Sequence, residues 1–146
     1  MVAATRQLCT FFLGEHTFGV DAHLVQEVIR YQEMTRVPLT PPSVSGLINL
    51  RGQIVTAIDM RKRLSYPERT DGKLPMNVVI RSEEGAVSLL VDAIGDVIEV
   101  SQDCFETPPD TLQGTTRELI GGAYKLKDRL LLVLNTKNAL HEKIAE

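Results

Sequence analysis

Apolar and polar positions alternate in short runs along the chain, and the apolar residues are mostly Val, Ile, Leu and Phe. Residues 8–13 (LCTFFL) are followed by the polar Gly14-Glu15-His16, after which residues 17–20 (TFGV) resume the run. Two such runs on either side of a glycine-containing turn are typical of a β-hairpin. We therefore predict that they pair as antiparallel strands.

The same pattern predicts strands along most of the remaining chain. They are expected at residues 44–50, 54–58, 77–81, 86–100, 119–126 and 130–134. The apolar positions in residues 26–30 fit either a helix or a strand. A series of about eight or more short strands with few helices indicates a sandwich or a pair of small barrels. The predicted fold class is therefore mainly all-β.

Short helices are expected where a capping side chain precedes a favourable run. These are residues 22–25 after Asp21, residues 60–64 after Asp59, and residues 136 to about 145 after Asn135. Pro108-Pro109 begins a segment that we expect to be irregular as far as residue 116.

The composition favours one domain, or two small subdomains that share a core. With 146 residues, of which 43% are hydrophobic, the chain can bury a sizeable core without a metal or disulfide. A net charge of −3 argues against a nucleic-acid partner. Arg61-Lys62-Arg63 is more typical of a loop or helix end than of a phosphate site. The chain shows neither a signal peptide nor an apolar run of about 20 residues, so we expect a cytoplasmic protein without membrane insertion.

Candidate chemistry is sparse. Cys9 and Cys104 are expected to be reduced and buried, although a disulfide between them stays open. The histidines, His16, His23 and His141, are not at metal-ligand spacing. Two carboxylate pairs, Asp92 with Asp96 or Asp21 with Glu27, leave open the alternative of a small β-barrel hydrolase. We predict no catalytic, cofactor or metal site.

One segment is more specific than the rest. Residues 44–55 read VSGLINLRGQIV and are followed by Ile58-Asp59-Met60-Arg61. Arg51 interrupts an apolar run, and it must reach solvent or a partner because an unpaired buried charge is costly. The segment resembles the signature of the CheW family of bacterial chemotaxis coupling proteins. Further matches are Phe18-Gly19-Val20-Asp21, Val25-Gln26-Glu27-Val28, Leu90-Val91-Asp92 and Asp96-Val97. Departures are Thr56, where many members have proline, and Ala93, where glycine is common.

The resemblance covers residues 8 to about 140 and implies both a fold and a function. The fold would be one CheW-like domain, residues 1–146, made of two small SH3-like five-stranded β-barrels on a shared core. Their boundary is expected near residue 80, with the N-terminal strand and the C-terminal helix crossing over. The implied function is to link chemoreceptors to the regulatory domain of the histidine kinase CheA at membrane-associated receptor arrays. A paralogous pathway with a CheA-like kinase stays open.

The resemblance also implies two contact surfaces. Kinase-binding candidates are Glu27, Val28, Gly46 and Arg51, and an ion pair is expected between Glu27 and Arg51. Candidates for an apolar groove between the barrels that takes the receptor's helical tip are Val25, Ile54, Val78, Ile94 and Val97. Gly46 is expected either to leave a surface open for close approach or to meet a backbone requirement. A large charged residue at Gly46 is expected to weaken kinase binding while leaving the fold and receptor binding nearly intact.

Overall fold

β-strands dominate the computed structural model, which describes residues 4–83, 85–108 and 114–140. Within these ranges the strands are β1 (Thr5–Leu13), β2 (His16–Asp21), β3 (Val25–Ile29), β4 (Val44–Leu50), β5 (Gln53–Asp59), β6 (Met76–Ser82), β7 (Gly85–Val91), β8 (Ala93–Ser101), β9 (Phe105–Glu106), β10 (Ile120–Lys125) and β11 (Leu130–Leu134). The helices are α1 (Met60–Arg63), α2 (Gly114–Leu119) and α3 (Thr136–Leu140), and 3-10 turns lie at Ala22–Leu24 and Gln102–Cys104. The predicted mainly all-β class is confirmed.

The described strands form two sheets. One has six strands in the order β8-β1-β2-β11-β10-β9, and the other has five in the order β3-β6-β7-β5-β4. The chain leaves the six-stranded sheet after β2, builds the five-stranded sheet from β3 to β7, and returns at β8. The N-terminal hairpin therefore belongs to the same sheet as the C-terminal strands, and β2 pairs with β11 in parallel. The subdomain boundary near residue 80 stays a prediction.

A shared hydrophobic core joins the sheets. Phe11 and Phe18 are register partners on β1 and β2, and their rings stack with centroids 5.7 Å apart. Ile80 and Leu89 enter the same core from the five-stranded sheet, and all four side chains are fully buried. Because each such burial contributes about 1.5–3 kcal/mol, apolar contact holds the two sheets together. The predicted shared core is confirmed.

Several local predictions are also confirmed. The first two strands form the expected antiparallel hairpin. The Asp59 carboxylate caps α1 by accepting hydrogen bonds from the backbone N–H groups of Arg61 and Lys62 at 3.0 and 3.2 Å. The Asn135 side chain accepts one from the backbone N–H of Asn138 at 3.2 Å. These features depend on neighbours in sequence, which explains why the sequence predicts them.

Other local predictions are wrong. The Asp21 side chain makes no cap to the following 3-10 turn and binds Arg6 instead. Residues 114–116, expected to be irregular, begin α2, which is anchored by the fully buried Leu119. Residues 109–113 and the predicted end of the closing helix, residues 141–145, lie outside the described residues.

The cysteines are both free, but neither is fully buried. Cys9 is half-buried on β1, and this burial raises the pKa of its thiol. Cys104 is exposed because it lies in a 3-10 turn at the surface rather than in a core strand. The expectation of two buried thiols is therefore wrong for Cys104.

Candidate functional site

Arg51 lies in the tight turn between β4 and β5. Leu50 and Gln53 are the last register partners of the hairpin, so Arg51 and Gly52 form its two-residue loop. Both have positive φ, 53° and 86°, which matches the type I′ turn that suits the twist of a hairpin. The Asn49 side chain accepts a hydrogen bond from the backbone N–H of Gly52 at 2.9 Å and closes the loop. Arg51 therefore projects from the end of the apolar run.

The predicted ion pair between Glu27 and Arg51 is confirmed. Arg51 Nη1 lies 2.9 Å from Glu27 Oε2. Glu27 is on β3, and β3 and β4 are the two outer strands of the five-stranded sheet, so the pair bridges the sheet's edges. The Arg51 side chain is 80% exposed, whereas that of Glu27 is 18% exposed. The arginine therefore both reaches solvent and has a partner.

Two exposed apolar residues lie near this pair along the chain. Val28 directly follows Glu27 on β3 and is 40% exposed. Ile54 is the cross-strand partner of Asn49 at the start of β5 and is 60% exposed. We call Glu27, Val28 and Arg51 the ion-pair corner, which Ile54 adjoins on β5. Apolar side chains beside a polar group that fixes orientation are the usual make-up of a protein-binding surface.

Gly46 lies on the strand that leads to the ion-pair corner and is closely covered by another segment of the chain. It is buried on β4, where Thr35 forms an isolated bridge with Leu47 through hydrogen bonds of 2.9 and 2.8 Å. A Cβ atom at position 46 would lie 2.7 Å from the Thr35 carbonyl oxygen. The expectation that a large charged residue at Gly46 leaves the fold intact is therefore wrong. Because Gly46 has no side chain, the segment that contains Thr35 can pack directly against β4.

The five groove candidates have different environments. Ile54 and Val97 are exposed, and Val25 and Ile94 are half-buried against the shared core. Val78 is only 2% exposed because β6 lies between β3 and β7 and its side chain packs into that core. Val78 is therefore a core residue, and its assignment to a preformed surface groove is wrong.

Comparison with known proteins agrees with this fold. The family model described as a CheW-like domain matches residues 7–143. The chain belongs to the CheW-like family. The chemotaxis protein CheW of Treponema pallidum is 34% identical over 133 residues, covering 88% of this chain and 78% of that protein. The chemotaxis protein CheW of Bacillus subtilis is 29% identical over 140 residues, covering 96% and 90%.

A solved member of the CheW-like family has the same fold. The crystal structure of the scaffolding protein TtCheW from Thermoanaerobacter tengcongensis superimposes with a TM-score of 0.81 at 28% identity. The match covers 90% of each chain. Both sheets described above therefore belong to the family's architecture.

Three of the four carboxylates considered for hydrolysis, Asp21, Glu27 and Asp92, are engaged with arginines in this CheW-like chain. Arg6 donates two hydrogen bonds to Asp21, and Arg61 donates two to Asp92. The hydrogen bond from Arg6 lowers the pKa of Asp21. Burial acts to raise the pKa of Asp92, but hydrogen bonds from Arg61 and the Gly14 N–H outweigh it and leave that pKa below its ordinary value. Both groups are held as carboxylates, which does not suit a general acid.

Sequence reasoning missed the partnership between Arg61 and Asp92. Both lie in motifs that carry the family resemblance, Ile58-Asp59-Met60-Arg61 and Leu90-Val91-Asp92. Their separation of 31 positions gives no local signal that they meet. The basic group 61–63 is the end of α1, as expected, and Arg63 donates hydrogen bonds to the carbonyls of Asn138 and Ala139.

Residues 4–83, 85–108 and 114–140 show neither a metal-binding cluster nor a membrane-spanning helix. This part of the chain contains no group of three or more His, Cys, Asp or Glu side chains placed to hold a metal ion. None of its helices is long and apolar enough to cross a membrane. The exposed His16 forms a hydrogen bond with Tyr66, whose hydroxyl lies 2.8 Å from its Nδ1.

Proposed function

We propose that this chain is a non-catalytic adaptor of chemotaxis signalling that links chemoreceptors to the histidine kinase CheA. The observation that carries the proposal is the CheW-like match over residues 7–143. The named relatives are chemotaxis proteins, and the similar crystal structure is that of a scaffolding protein. In this proposal the protein acts in the cytoplasm and is recruited to membrane-associated receptor arrays.

The kinase contact is assigned to the ion-pair corner. The regulatory domain of the kinase contacts Glu27, Val28 and Arg51, and Gly46 lies on β4, the strand that leads to Arg51. An exposed arginine held by a carboxylate has a defined orientation, and arginine is common among residues that dominate binding energy. The pair therefore presents an oriented donor at the hairpin tip, and the exposed Val28 follows Glu27 on β3.

The receptor contact is assigned to apolar residues from both sheets. Ile54 and Val97 are exposed and offer apolar contacts to a helical receptor tip, with the half-buried Val25 and Ile94 beside them. Apolar anchors of this kind give affinity when a helix lies in a groove. Ile54 is on the same hairpin as Arg51, so the two contacts approach each other at the β4–β5 hairpin. An adaptor nevertheless has to hold both partners at once.

Two substitutions with matched controls test this division. Arg51→Ala is compared with Lys125→Ala, because Lys125 is 75% exposed and also forms a surface ion pair, at 3.5 Å to Glu106. Val97→Ser is compared with Leu130→Ser, another exposed apolar residue, on β11. Each variant is titrated calorimetrically against the kinase regulatory domain and a receptor-tip fragment, with circular dichroism as the folding control.

We expect Arg51→Ala to weaken kinase binding by about tenfold and Val97→Ser to weaken receptor binding by a similar factor. Both control variants should stay within about twofold of the parent protein. Equal losses in the control variants would contradict the assigned surfaces. A parent protein that binds neither partner would contradict the adaptor function itself.

A further inference from the structure

Asp92 lies at a point where the chain passes from one sheet to the other. It is the single residue between the end of β7 at Val91 and the start of β8 at Ala93. β7 is inside the five-stranded sheet, whereas β8 is an outer strand of the six-stranded sheet. A side chain at this position is therefore within reach of both sheets.

The Asp92 carboxylate binds groups from each side of this crossing. Arg61, on the helix that follows β5, donates from Nε to Oδ1 at 2.7 Å and from Nη2 to Oδ2 at 2.5 Å. The backbone N–H of Gly14, in the turn between β1 and β2, donates to Oδ2 at 2.8 Å. The backbone N–H of Asp92 itself donates to the carbonyl of Phe12 at 3.0 Å. One residue thus ties the β1–β2 hairpin to the five-stranded sheet.

The surroundings hold this cluster in place. Arg61 Nη1 donates to the carbonyl of Pro67 at 2.6 Å, and Arg69 Nη1 lies 3.9 Å from Asp92 Oδ1. The side chains of Arg61 and Asp92 are only 18% and 14% exposed. A bidentate arginine–carboxylate pair is directional, so in a site with little water it restricts relative rotation as well as distance.

The chain contains a second pair of the same chemistry that does not span the sheets. Arg6 donates to Asp21 at 2.5 and 3.0 Å, also through Nε and Nη2, and the side chains are 25% and 24% exposed. Arg6 lies on β1 and Asp21 ends β2, which are neighbours in the six-stranded sheet. It is therefore a matched control for the loss of a partly buried ion pair.

We propose that Asp92 is a positioning residue that holds the two sheets in one relative orientation, and that a partner bound across both sheets requires this orientation. The second clause rests on the proposed function, in which the receptor contacts Ile54 on the five-stranded sheet and Val97 on the six-stranded sheet. The ion-pair corner lies within the five-stranded sheet alone, so kinase binding there does not depend on Asp92.

The test compares Asp92→Asn with Asp21→Asn. Both changes keep the shape of the side chain and remove its charge. Spin labels are placed on Gln26→Cys in β3 and Glu99→Cys in β8, which are exposed positions on the two sheets. The background carries Cys9→Ala and Cys104→Ser, so that neither native thiol is labelled. Pulsed electron paramagnetic resonance then reports the distance distribution between the sheets without any partner. The unlabelled variants are titrated against the receptor tip and the kinase regulatory domain.

We expect the distance distribution to broaden or shift in Asp92→Asn and to stay unchanged in Asp21→Asn. Receptor binding should fall about tenfold in Asp92→Asn, with kinase binding within about twofold. An unchanged distribution in folded Asp92→Asn, or equal broadening in both variants, would overturn the positioning role. If Asp92→Asn does not fold, Arg61→Lys, which keeps the charge but not the bidentate geometry, is judged by the same distance criterion.

The claim that the receptor requires this orientation is tested separately. A shifted distribution with unchanged receptor binding would overturn the claim that the partner requires this orientation. If the parent protein binds no receptor tip, the proposed function fails, and the label distances still decide the positioning role by themselves.

Discussion

The pairs Glu27–Arg51 and Arg61–Asp92 join the same chemical groups, but the arginine of the first is exposed and that of the second is shielded. Arg51 makes one contact of 2.9 Å from a side chain that is four-fifths exposed. Arg61 makes two contacts, of 2.7 and 2.5 Å, and is largely shielded from water. The first pair lies at a hairpin tip of one sheet, and the second lies where the chain changes sheets.

This difference separates binding from architecture. An exposed ion pair contributes only about 0–1 kcal/mol to folding, because water screens it and competes for both partners. Removing one partner of a shielded pair leaves an uncompensated charge, which costs about 3–5 kcal/mol where burial is complete. The exposed arginine is therefore available to bind a partner protein, whereas the shielded pair mainly stabilises the fold.

The largest effect is expected from Arg61→Ala. It leaves the Asp92 carboxylate without its main partner, and we expect a loss of about 2–4 kcal/mol in the free energy of unfolding, since the site is only partly buried. Urea denaturation followed by circular dichroism measures it. The adjacent exposed Lys62→Ala is the control and should change the value by no more than about 0.5 kcal/mol. A loss below about 1 kcal/mol in Arg61→Ala would remove the distinction between the pairs.

Gly46→Ala extends the comparison to β4, the strand that leads to the ion-pair corner. It tests whether this strand tolerates a side chain at position 46. The new Cβ would press on the Thr35 carbonyl oxygen, and we expect destabilisation of about 1–3 kcal/mol. At the exposed Gly121 the nearest atom to an added Cβ is 3.8 Å away, so Gly121→Ala serves as the control in the same urea experiment. Equal stabilities of the two variants would contradict the steric role of Gly46.

A smaller effect is expected from acid. The pKa of Asp92 in the folded protein lies below its ordinary value of 3.8, so its charged form favours folding. This stabilisation is complete above the unfolded-state pKa of about 3.9 and is lost as the pH falls through the lower folded value. Asp92→Asn should therefore lose stability less steeply than the parent below about pH 4 in urea denaturation series. Parallel pH curves would show that Asp92 has no such role.

The smallest effect on stability is expected from Arg51→Ala. Because Arg51 is largely exposed and water can reach its place beside Glu27, the free energy of unfolding should fall by no more than about 1 kcal/mol. The same denaturation assay applies, with Lys125→Ala as the control. A loss as large as that of Arg61→Ala would mean that exposure does not distinguish the two pairs.

The sequence by itself determined the features that depend on near neighbours. Alternating apolar runs predicted the strands, and the glycine-containing turn after residue 13 predicted the first hairpin. Asp59 was identified as the cap of α1, because a capping carboxylate bonds to N–H groups only two and three residues away. The family motifs added the Glu27–Arg51 pair, which periodicity alone does not reveal.

Only the tertiary structure decided which side chains are accessible and which distant groups meet. Val78 and Ile54 are both apolar strand residues, yet one lies in a strand covered by neighbours and the other at a hairpin end. The contact of Asp92 with Gly14 spans 78 positions and exists because β8 returns to pair with β1. Local patterns specify strand period, turns and caps, but burial and long-range ion pairs depend on how the strands are ordered in space.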